Sequence, residues 1–358
     1  MLDGGELARR YPAELLGRPE VGEPPPAAAG WLAGRRVLIT GAGGSVGRPL
    51  AAAILRAGPA RLALLDHHEA SLWDLQRCFG ESETVELLLA DVRNRARLAA
   101  ALRQARPEAV FHLAAYKHVP FGERFSDEAF AVNVLGTRLL LDLAAEAGVE
   151  RFVYPSSDKA CNPPSLYGAT KRLSEVLVRR AARETGRGYN VARFVNILGT
   201  QGSVIETFAR QAQAGGPLTV TDPAMTRYWI GMNEALWLLL SVAALPSGGQ
   251  TVMIDARQEI TVVEVARRVW RLLHGESTDW EIVYGTPRPG ERLREDLLSA
   301  SERFQPGTRT GLLRVVDERA DEHLKRIGPL VYRLAELAET GDPVALREAA
   351  MAAARELQ

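Results

Sequence analysis

Lys159 closes the run Ser156-Ser157-Asp158-Lys159, and eight residues further on begins Tyr167-Gly168-Ala169-Thr170-Lys171. On a helix, Tyr-x-x-x-Lys sets the phenol and the ammonium on one face, one turn apart. A neighbouring cation favours the tyrosinate, so Tyr167 is expected to take a proton well below the phenol's ordinary ~10. Ser157 is placed to hold a substrate oxygen. Together these groups could move a hydride between a sugar alcohol and a nicotinamide. Asp158 and Lys159 add an acid and a base side by side, which a plain alcohol oxidation does not use and an elimination of water requires. The bland alternative is a surface ion pair, since Asp and Lys are mostly exposed. Their place at the C-terminal end of a strand favours the chemical role, because ligands bind there in doubly wound sheets.

The elements that must position these groups read as alternating strands and helices from Arg36 onward. Strands are expected at Val37–Thr40, Leu62–Asp66, Val85–Ala90, Ala109–Ala114, Arg151–Pro155 and Asn190–Val195, with helices at Val46–Ala57, Asn133–Ala147 and Tyr167–Thr185. Strand after helix after strand means a parallel, doubly wound α/β sheet. After the first strand comes Gly41-Ala42-Gly43-Gly44-Ser45-Val46-Gly47. The spacing Gly41, Gly44, Gly47 lets the backbone approach a pyrophosphate seated on a helix N-terminus, the mark of a Rossmann dinucleotide site. Gly43, Ser45 and Val46 belong to the same loop. Asp66, ending the second strand, would accept from the adenosine ribose and repel a 2′-phosphate, so NAD is expected. The imidazoles of His67 and His68 leave NADP open. Asp91 and Val92 would border the adenine, Leu113, Ala114 and Ala115 would lie beneath the cofactor, and Asn133 would face it.

The 358 residues, 46% of them hydrophobic, suffice for a substantial core. Lys+Arg and Asp+Glu are both 44, for zero net charge, which argues against a nucleic-acid partner. Two distant cysteines, Cys78 and Cys161, make a disulfide framework unexpected and point to a reducing, cytoplasmic setting. The start of the chain has no signal-peptide pattern. The apolar run Ala235–Leu245 is shorter than the roughly 20 residues of a membrane span, so it reads as a buried helix. His112, His118, His274 and His323 show no metal-ligand spacing. The organisation expected is an irregular N-terminal arm and linker (1–34), with Val21–Gly30 the linker proper. A dinucleotide-binding domain (35–200) follows, then a smaller substrate lobe interleaved with it (201–320) and C-terminal helices around Gly341-Asp342-Pro343 (321–358).

Asp158-Lys159-Ala160, Asn162-Pro163 and Tyr167-Gly168-Ala169-Thr170-Lys171 resemble the extended short-chain dehydrogenase/reductases that act as inverting UDP-N-acetylglucosamine 4,6-dehydratases, in the capsule and flagellin-glycan group of polysaccharide biosynthesis enzymes. Further matching stretches are Ala114–Pro120, Asn196–Gly199 with Gly202-Ser203-Val204-Ile205, Met225–Trp229 and Arg288-Pro289-Gly290-Glu291-Arg292-Leu293. The resemblance spans about residues 14–350. It departs from the long, membrane-anchored members at Tyr167, where they commonly carry methionine, and resembles the short soluble ones there. Phe121–Ser126 departs from the usual Met-Glu-x-Asn-Pro type of loop beside the sugar.

The resemblance implies a UDP-sugar substrate, a tightly bound and regenerated NAD, and a homo-oligomer, dimer or hexamer. Tyr167 would take the O4 proton while hydride leaves C4, Lys171 would lower the Tyr167 pKa and hold the ribose, and Ser157 would bond the forming carbonyl. Lys159 would remove the C5 proton and Asp158 would protonate the departing 6-hydroxyl, with inversion at C5. To act as a base Lys159 should lie below its ordinary ~10.4, through burial or a neighbouring cation, for which Lys117 is a candidate. Arg227 and Arg288 would clamp the diphosphate, Glu291 would accept from the uridine ribose, and Asn196, Lys117, His118, Gly202, Ser203 and Val204 would complete the substrate site. The helices Asp127–Ala147 and Tyr167–Thr185 could form a four-helix dimer contact. Other readings remain: a 4-epimerase that leaves Asp158 and Lys159 idle, a dehydratase with additional epimerase activity at C3 or C5, a non-catalytic protein that senses nicotinamide redox state, and a structural partner of a glycan assembly complex.

Overall fold

The computed structural model describes residues 2–20, 30–276, 280–307 and 309–358. The linker read at Val21–Gly30 lies, apart from Gly30, outside the described residues. The N-terminal arm is not irregular: α1 (Gly4–Arg10) and α2 (Pro12–Leu16) are helices. An Asp3–Glu6 capping box starts α1, and Pro12 at the first position starts α2. Their Leu7, Leu15 and Leu16 are fully buried against the smaller lobe, which is why so polar a segment folds.

The expected doubly wound sheet follows. β1 (Arg36–Thr40), α3 (Gly47–Arg56), β2 (Arg61–Asp66), α4 (Glu69–Phe79), β3 (Val85–Leu89), α5 (Arg95–Ala105) and β4 (Ala109–His112) alternate. Then come α6 (Val119–Arg124), α7 (Ser126–Phe130), a π turn at Ala131–Gly136, α8 (Thr137–Glu146), β5 (Arg151–Ser157), α9 (Leu166–Thr185) and β6 (Gly188–Phe194). Strands buried on both faces read as unbroken apolar runs rather than alternation.

Beyond residue 195 the chain builds both a lobe and the rest of the main sheet. The lobe holds β7 (Asn196–Ile197), α10 (Val204–Gln213), β8 (Leu218–Val220) and β9 (Thr226–Ile230). The chain then returns through the buried helix α11 (Met232–Ala243) to β10 (Thr251–Ile254) and goes back to the lobe for β11 (Glu259–Thr261), α12 (Val262–His274) and β12 (Ile282–Tyr284). β13 (Glu302–Pro306) and β14 (Leu312–Asp317) finish the sheet before α13 (Ala320–Glu339) and α14 (Pro343–Arg355). The nine strands run in the order β13-β14-β10-β6-β5-β4-β1-β2-β3, with β10 parallel to β6 and the last two strands antiparallel. No helix among the described residues is long and apolar enough to cross a membrane.

α9, which carries Tyr167 and Lys171, is walled in. One side packs on the sheet, and α13 and α14 cover the other. Part of the α9 surface expected for a four-helix dimer contact is therefore packed against the chain's own C-terminal helices. A buried ion cluster fastens α9 to the sheet and the C-terminal segment. Arg193 on β6 donates to both Glu175 oxygens (2.9 and 2.7 Å) and to Glu302 (2.8 Å), Arg172 donates to Glu302 and to the Leu357 carbonyl (2.6 Å), and Arg179 and His323 meet at Asp317 (2.9 and 2.8 Å). Removing one partner from such a cluster costs about 3–5 kcal/mol, because the other charge stays buried.

His112, at the end of β4, is fully buried and neutral. Thr137 Oγ1 donates to the Asn133 carbonyl, so it must accept from His112 Nε2–H (2.9 Å), and His112 Nδ1 accepts from Thr40 Oγ1 (2.7 Å). Burial, helped by the Lys171 cation, pushes its pKa down to about 3. A depressed pKa contributes stability that is present above the unfolded value of ~6.5 and is lost as pH falls toward the folded one. Glu302 and Asp317 are also held below the carboxylate range. Burial opposes this, but Arg193 and Arg172 outweigh it at Glu302, and His323 and Arg179 do so at Asp317. Their contribution is lost only below ~4. Melting temperature should therefore decline in two stages, from about pH 6.5 and again below about pH 4. His112→Asn should flatten the upper stage and leave the lower, as calorimetry across that range would show.

Candidate active site

A cleft of about 720 Å³ opens at the C-terminal ends of β1, β4, β5 and β6. Its floor at one end is the loop after β1, with Gly41, Gly44, Ser45, Val46 and Gly47 all lining it. Gly41 has φ +67°, and a Cβ there would lie 2.6 Å from Ala114 N. That backbone approach is a cradle only glycine leaves open. Gly43 N donates to Asp66 Oδ2 (3.0 Å) and His68 N to Oδ1 (3.1 Å), so the carboxylate is fixed beside the loop with lone pairs to spare. The site fits a dinucleotide: a side-chain-free cradle at a helix start, and an anchored carboxylate ending the second strand. Gly41→Ala should weaken nicotinamide dinucleotide binding at least tenfold by calorimetric titration, since strain at positive φ adds about 1–3 kcal/mol to the clash.

Leu113 and Ala115 line the cleft, with Ala114 between them. Asp91 is bound by Arg93, which also reaches Glu128 (2.7 Å), and Val92 is buried against the π turn. Asn133 differs from expectation. It is buried, and its amide is spent on both backbone groups of Tyr116 (2.8 and 2.9 Å) and on Thr170 (3.1 Å), bracing the loop after β4 against α9. Ser45 Oγ likewise accepts from Gln201 N (2.9 Å), tying the glycine loop to the lobe.

At the other end, β5 delivers Ser157 and Lys159, and α9 delivers Tyr167 and Lys171. The two elements nearly touch because of Gly168, whose Cβ would sit 2.1 Å from the Lys159 carbonyl. Lys171 Nζ donates to the Pro155 carbonyl (2.9 Å) and lies 5.9 Å from the Tyr167 ring centre. Lys159 Nζ donates to Asp158 Oδ1 (3.0 Å) and Asn196 Oδ1 (3.4 Å) and lies 3.3 Å from Glu295 Oε1. Ser157 Oγ donates to Asp158 Oδ1 (2.9 Å). Asp158 is fully buried behind Ser157 and Lys159 and does not line the cleft; its Oδ2 has no hydrogen-bond partner among the described residues.

Electrostatics here correct two expectations. Lys159 is not depressed: burial pulls its pKa down, but Asp158 and Glu295 outweigh that and hold it above its ordinary value, while Lys117 is elsewhere, bonded to the Gln201 carbonyl (2.7 Å). Tyr167 is not lowered by Lys171: burial raises the phenol, and the cation that opposes this most is Lys159. Lys171 is itself pushed down to about 7 by burial.

Of the expected substrate residues, Lys117, His118 and Asn196 line the cleft. Gly202 has φ +72° and faces the His118 ring, Ser203 Oγ is a buried hydroxyl without a hydrogen-bond partner among the described residues, and Val204 begins α10. Arg227 is not a free clamp: it is buried, donates to the Thr226 (2.7 Å) and Leu293 (3.2 Å) carbonyls and lies 3.7 Å from Glu295. Arg288 is exposed on a turn where Glu291 accepts from its N–H (3.1 Å), outside the cleft lining.

A family model described as polysaccharide biosynthesis protein matches residues 37–316. The chain belongs to the polysaccharide biosynthesis protein family. Within it, the capsular polysaccharide biosynthesis protein CapD of Staphylococcus aureus is 37% identical over 306 residues, 84% of this chain and 51% of that protein, so the chain spans about half of that relative. The UDP-N-acetylglucosamine 4,6-dehydratase (inverting) of Campylobacter jejuni strain 81-176 is 31% identical over 275 residues, 75% of this chain and 79% of that one. The solved structure of DesIV, a dTDP-glucose 4,6-dehydratase from Streptomyces venezuelae with NAD bound, superposes with a TM-score of 0.64 at 25% identity, covering 73% of this chain and 88% of that one.

The cleft wall of this family member carries Phe121 and Phe125, from the loop read as bordering the sugar, together with Phe194 and Thr200, which no motif indicated; Glu295, also missed, lies behind Lys159. Glu295 sits in a charged run, Arg292-Leu293-Arg294-Glu295-Asp296, that reads as a solvated surface. Only its burial, at 4% exposure, sets it apart.

Proposed function

We propose that the protein is a nucleotide-sugar 4,6-dehydratase acting on UDP-N-acetylglucosamine or a close UDP-N-acetylhexosamine. The observation that carries this is the Asp158–Lys159 pair, hydrogen-bonded at 3.0 Å, with Lys159 lining the same cleft as Tyr167 and Asp158 buried directly behind it. A 4-epimerase needs Tyr167 and Lys171 and has no use for a second acid and base. The relative named as an inverting dehydratase supports inversion at C5.

A bound NAD would supply hydride acceptance at C4 and hydride return to C6; the anchored Asp66 carboxylate favours it over NADP. Tyr167 takes the O4 proton, and Ser157 donates to the oxygen as it becomes a carbonyl. The resulting ketone acidifies C5–H. The ammonium–carboxylate pair holds one transferable proton, and its passage from Lys159 to Asp158 gives a neutral amine beside a neutral acid. Lys159 then removes the C5 proton, while Asp158, turning its unpartnered Oδ2 to the cleft, protonates the 6-hydroxyl as it leaves; when C6 has taken the hydride, a proton that exchanges with solvent returns to C5. Ser203 at the start of α10, with Lys117 and His118 nearby, would receive the diphosphate. Any homo-oligomer is proposed to use a face other than the part of α9 that the C-terminal helices cover. Free Cys78 and Cys161 are in keeping with a cytoplasmic setting.

The test is a proton NMR time course with UDP-N-acetylglucosamine in D2O, without added cofactor. A new 6-methyl signal with deuterium at C5 is expected, and the couplings at C5 report inversion. An epimerised hexose that keeps its 6-hydroxyl would sink the dehydratase reading. Phe121 and Phe125 wall the cleft, so the N-acetylgalactosamine epimer belongs in the same assay.

A further inference from the structure

Lys159 is held by groups from three separate segments. Its Nζ donates to Asp158 Oδ1 (3.0 Å) on its own strand end and to Asn196 Oδ1 (3.4 Å) on β7, and it forms an ion pair with Glu295 Oε1 (3.3 Å) on the segment after the Arg288–Glu291 turn. Two of the ammonium's three N–H groups are thus hydrogen-bonded, and Glu295 holds the charge from a third side. Asn196 is itself oriented, since its amide donates to the Tyr228 carbonyl (3.1 Å). Glu295 is oriented as well: the same Oε1 faces Arg227 Nε at 3.7 Å, and Arg227 donates to the Leu293 carbonyl two residues before it. Glu295 is buried, so water does not screen it from Lys159.

We infer that Glu295 is a positioning residue for this reaction: it fixes the Lys159 amine at the cleft and sets the pH at which that amine is free to take a proton. The inference rests on the dehydratase reading. In the step concerned, the C5–H bond breaks and its proton goes to Lys159 Nζ. The C5–H electrons form the C5–C6 double bond, and the C6–O bond breaks as the hydroxyl leaves as water with the proton of Asp158. The charged and titratable groups facing Nζ are Asp158 and Glu295, which favour the ammonium, Arg227, which disfavours it, and the phenol of Tyr167. Of the two carboxylates, Asp158 is consumed as the acid. Glu295 touches no reacting atom and stays as a fixed charge.

Glu295→Gln keeps an oxygen acceptor and removes the charge. Without that charge the amine loses its proton more readily, so the rising limb of the kcat–pH profile for dehydration should move to lower pH by about 1–3 units, the usual effect of an opposite charge at this range. Glu295→Asp keeps the charge and should leave the limb in place while kcat falls, because the carboxylate is withdrawn by one methylene. Thermal melts of both variants report folding; should Glu295→Gln not fold, the split between an unmoved limb and a lowered kcat in Glu295→Asp carries the test. A Glu295→Gln limb that coincides with wild type, or the same shift in both variants, would overturn the inference and leave the dehydratase reading intact. Wild-type protein that eliminates no water from UDP-hexosamines would overturn both.

Discussion

Tyr167→Phe should lower kcat for dehydration by about 10²–10⁴-fold, the range for loss of one general acid–base group. The phenyl ring keeps the packing of Tyr167 within the cleft and removes only the hydroxyl, so folding should be unaffected. Without that oxygen nothing is placed to accept the O4 proton, because Lys171 is engaged with the Pro155 carbonyl and Ser157 donates to Asp158. The block falls before the ketone exists, and C5–H is never acidified. Two readouts should therefore fail together: the 6-methyl signal, and deuterium uptake at C5 from D2O. The pH profile of the wild-type enzyme follows from the same group. Burial holds the phenol above its ordinary value, so the oxidation half-reaction should improve as pH rises from neutrality. Equal activity of Tyr167→Phe and wild type would remove Tyr167 from the mechanism.

Lys159→Met should be as damaging overall, about 10²–10⁴-fold in dehydration, but at a later point. Tyr167, Ser157 and Lys171 are untouched, so C4 oxidation should proceed and elimination should stop. In a single turnover with enzyme in excess, quenching with borodeuteride should label C4 of an intact hexose, the mark of a trapped 4-ketone. Tyr167→Phe should give no such label. The pair of variants thus separates the two half-reactions, and a Lys159→Met enzyme that still loses water at the wild-type rate would return the acid–base pair to the status of an ion pair. Lys159→Met also leaves buried Asp158 without its cation and Glu295 with Arg227 alone, so a loss of stability should accompany the change. Asp158→Asn/Lys159→Met removes one of those charges and should recover part of it, as melting curves would show.

The strands β1 to β6 and the helix carrying Tyr167 and Lys171 were legible because parallel strands buried on both faces are short apolar runs, and because glycine and proline punctuate them. α1 and α2 were not. Their apolar residues are few, and it is contact with the lobe, through Leu7, Leu15 and Leu16, that makes them helices. The second half of the main sheet was hidden for a related reason: the chain leaves for the lobe and returns, so strand order stops following sequence order. Motifs also found the reacting groups, since Gly41, Ser157, Lys159, Tyr167 and Lys171 do line one cleft. They did not find what those groups are bonded to. Asn133 and Arg227, both read as contacts to ligand, are spent on backbone and on a buried carboxylate.

Residue type and local spacing by themselves determined the chemistry available to this protein. Tyr167 and Lys171 share a helix face, Asp158 and Lys159 are adjacent, and Gly41, Gly44 and Gly47 follow an apolar run at dinucleotide-loop spacing, and no tertiary contact is needed to see any of these. The protonation states needed the tertiary structure. Lys159 looks like a base to be depressed and is instead held above its ordinary value, against burial, by its neighbour Asp158 together with Glu295, a residue far along the chain; Tyr167 is raised by burial that only the packed cleft creates. The physical reason is that connectivity along the chain is short-ranged, whereas desolvation and Coulomb interaction act through space, among groups that the sequence places far apart and folding brings within 4 Å.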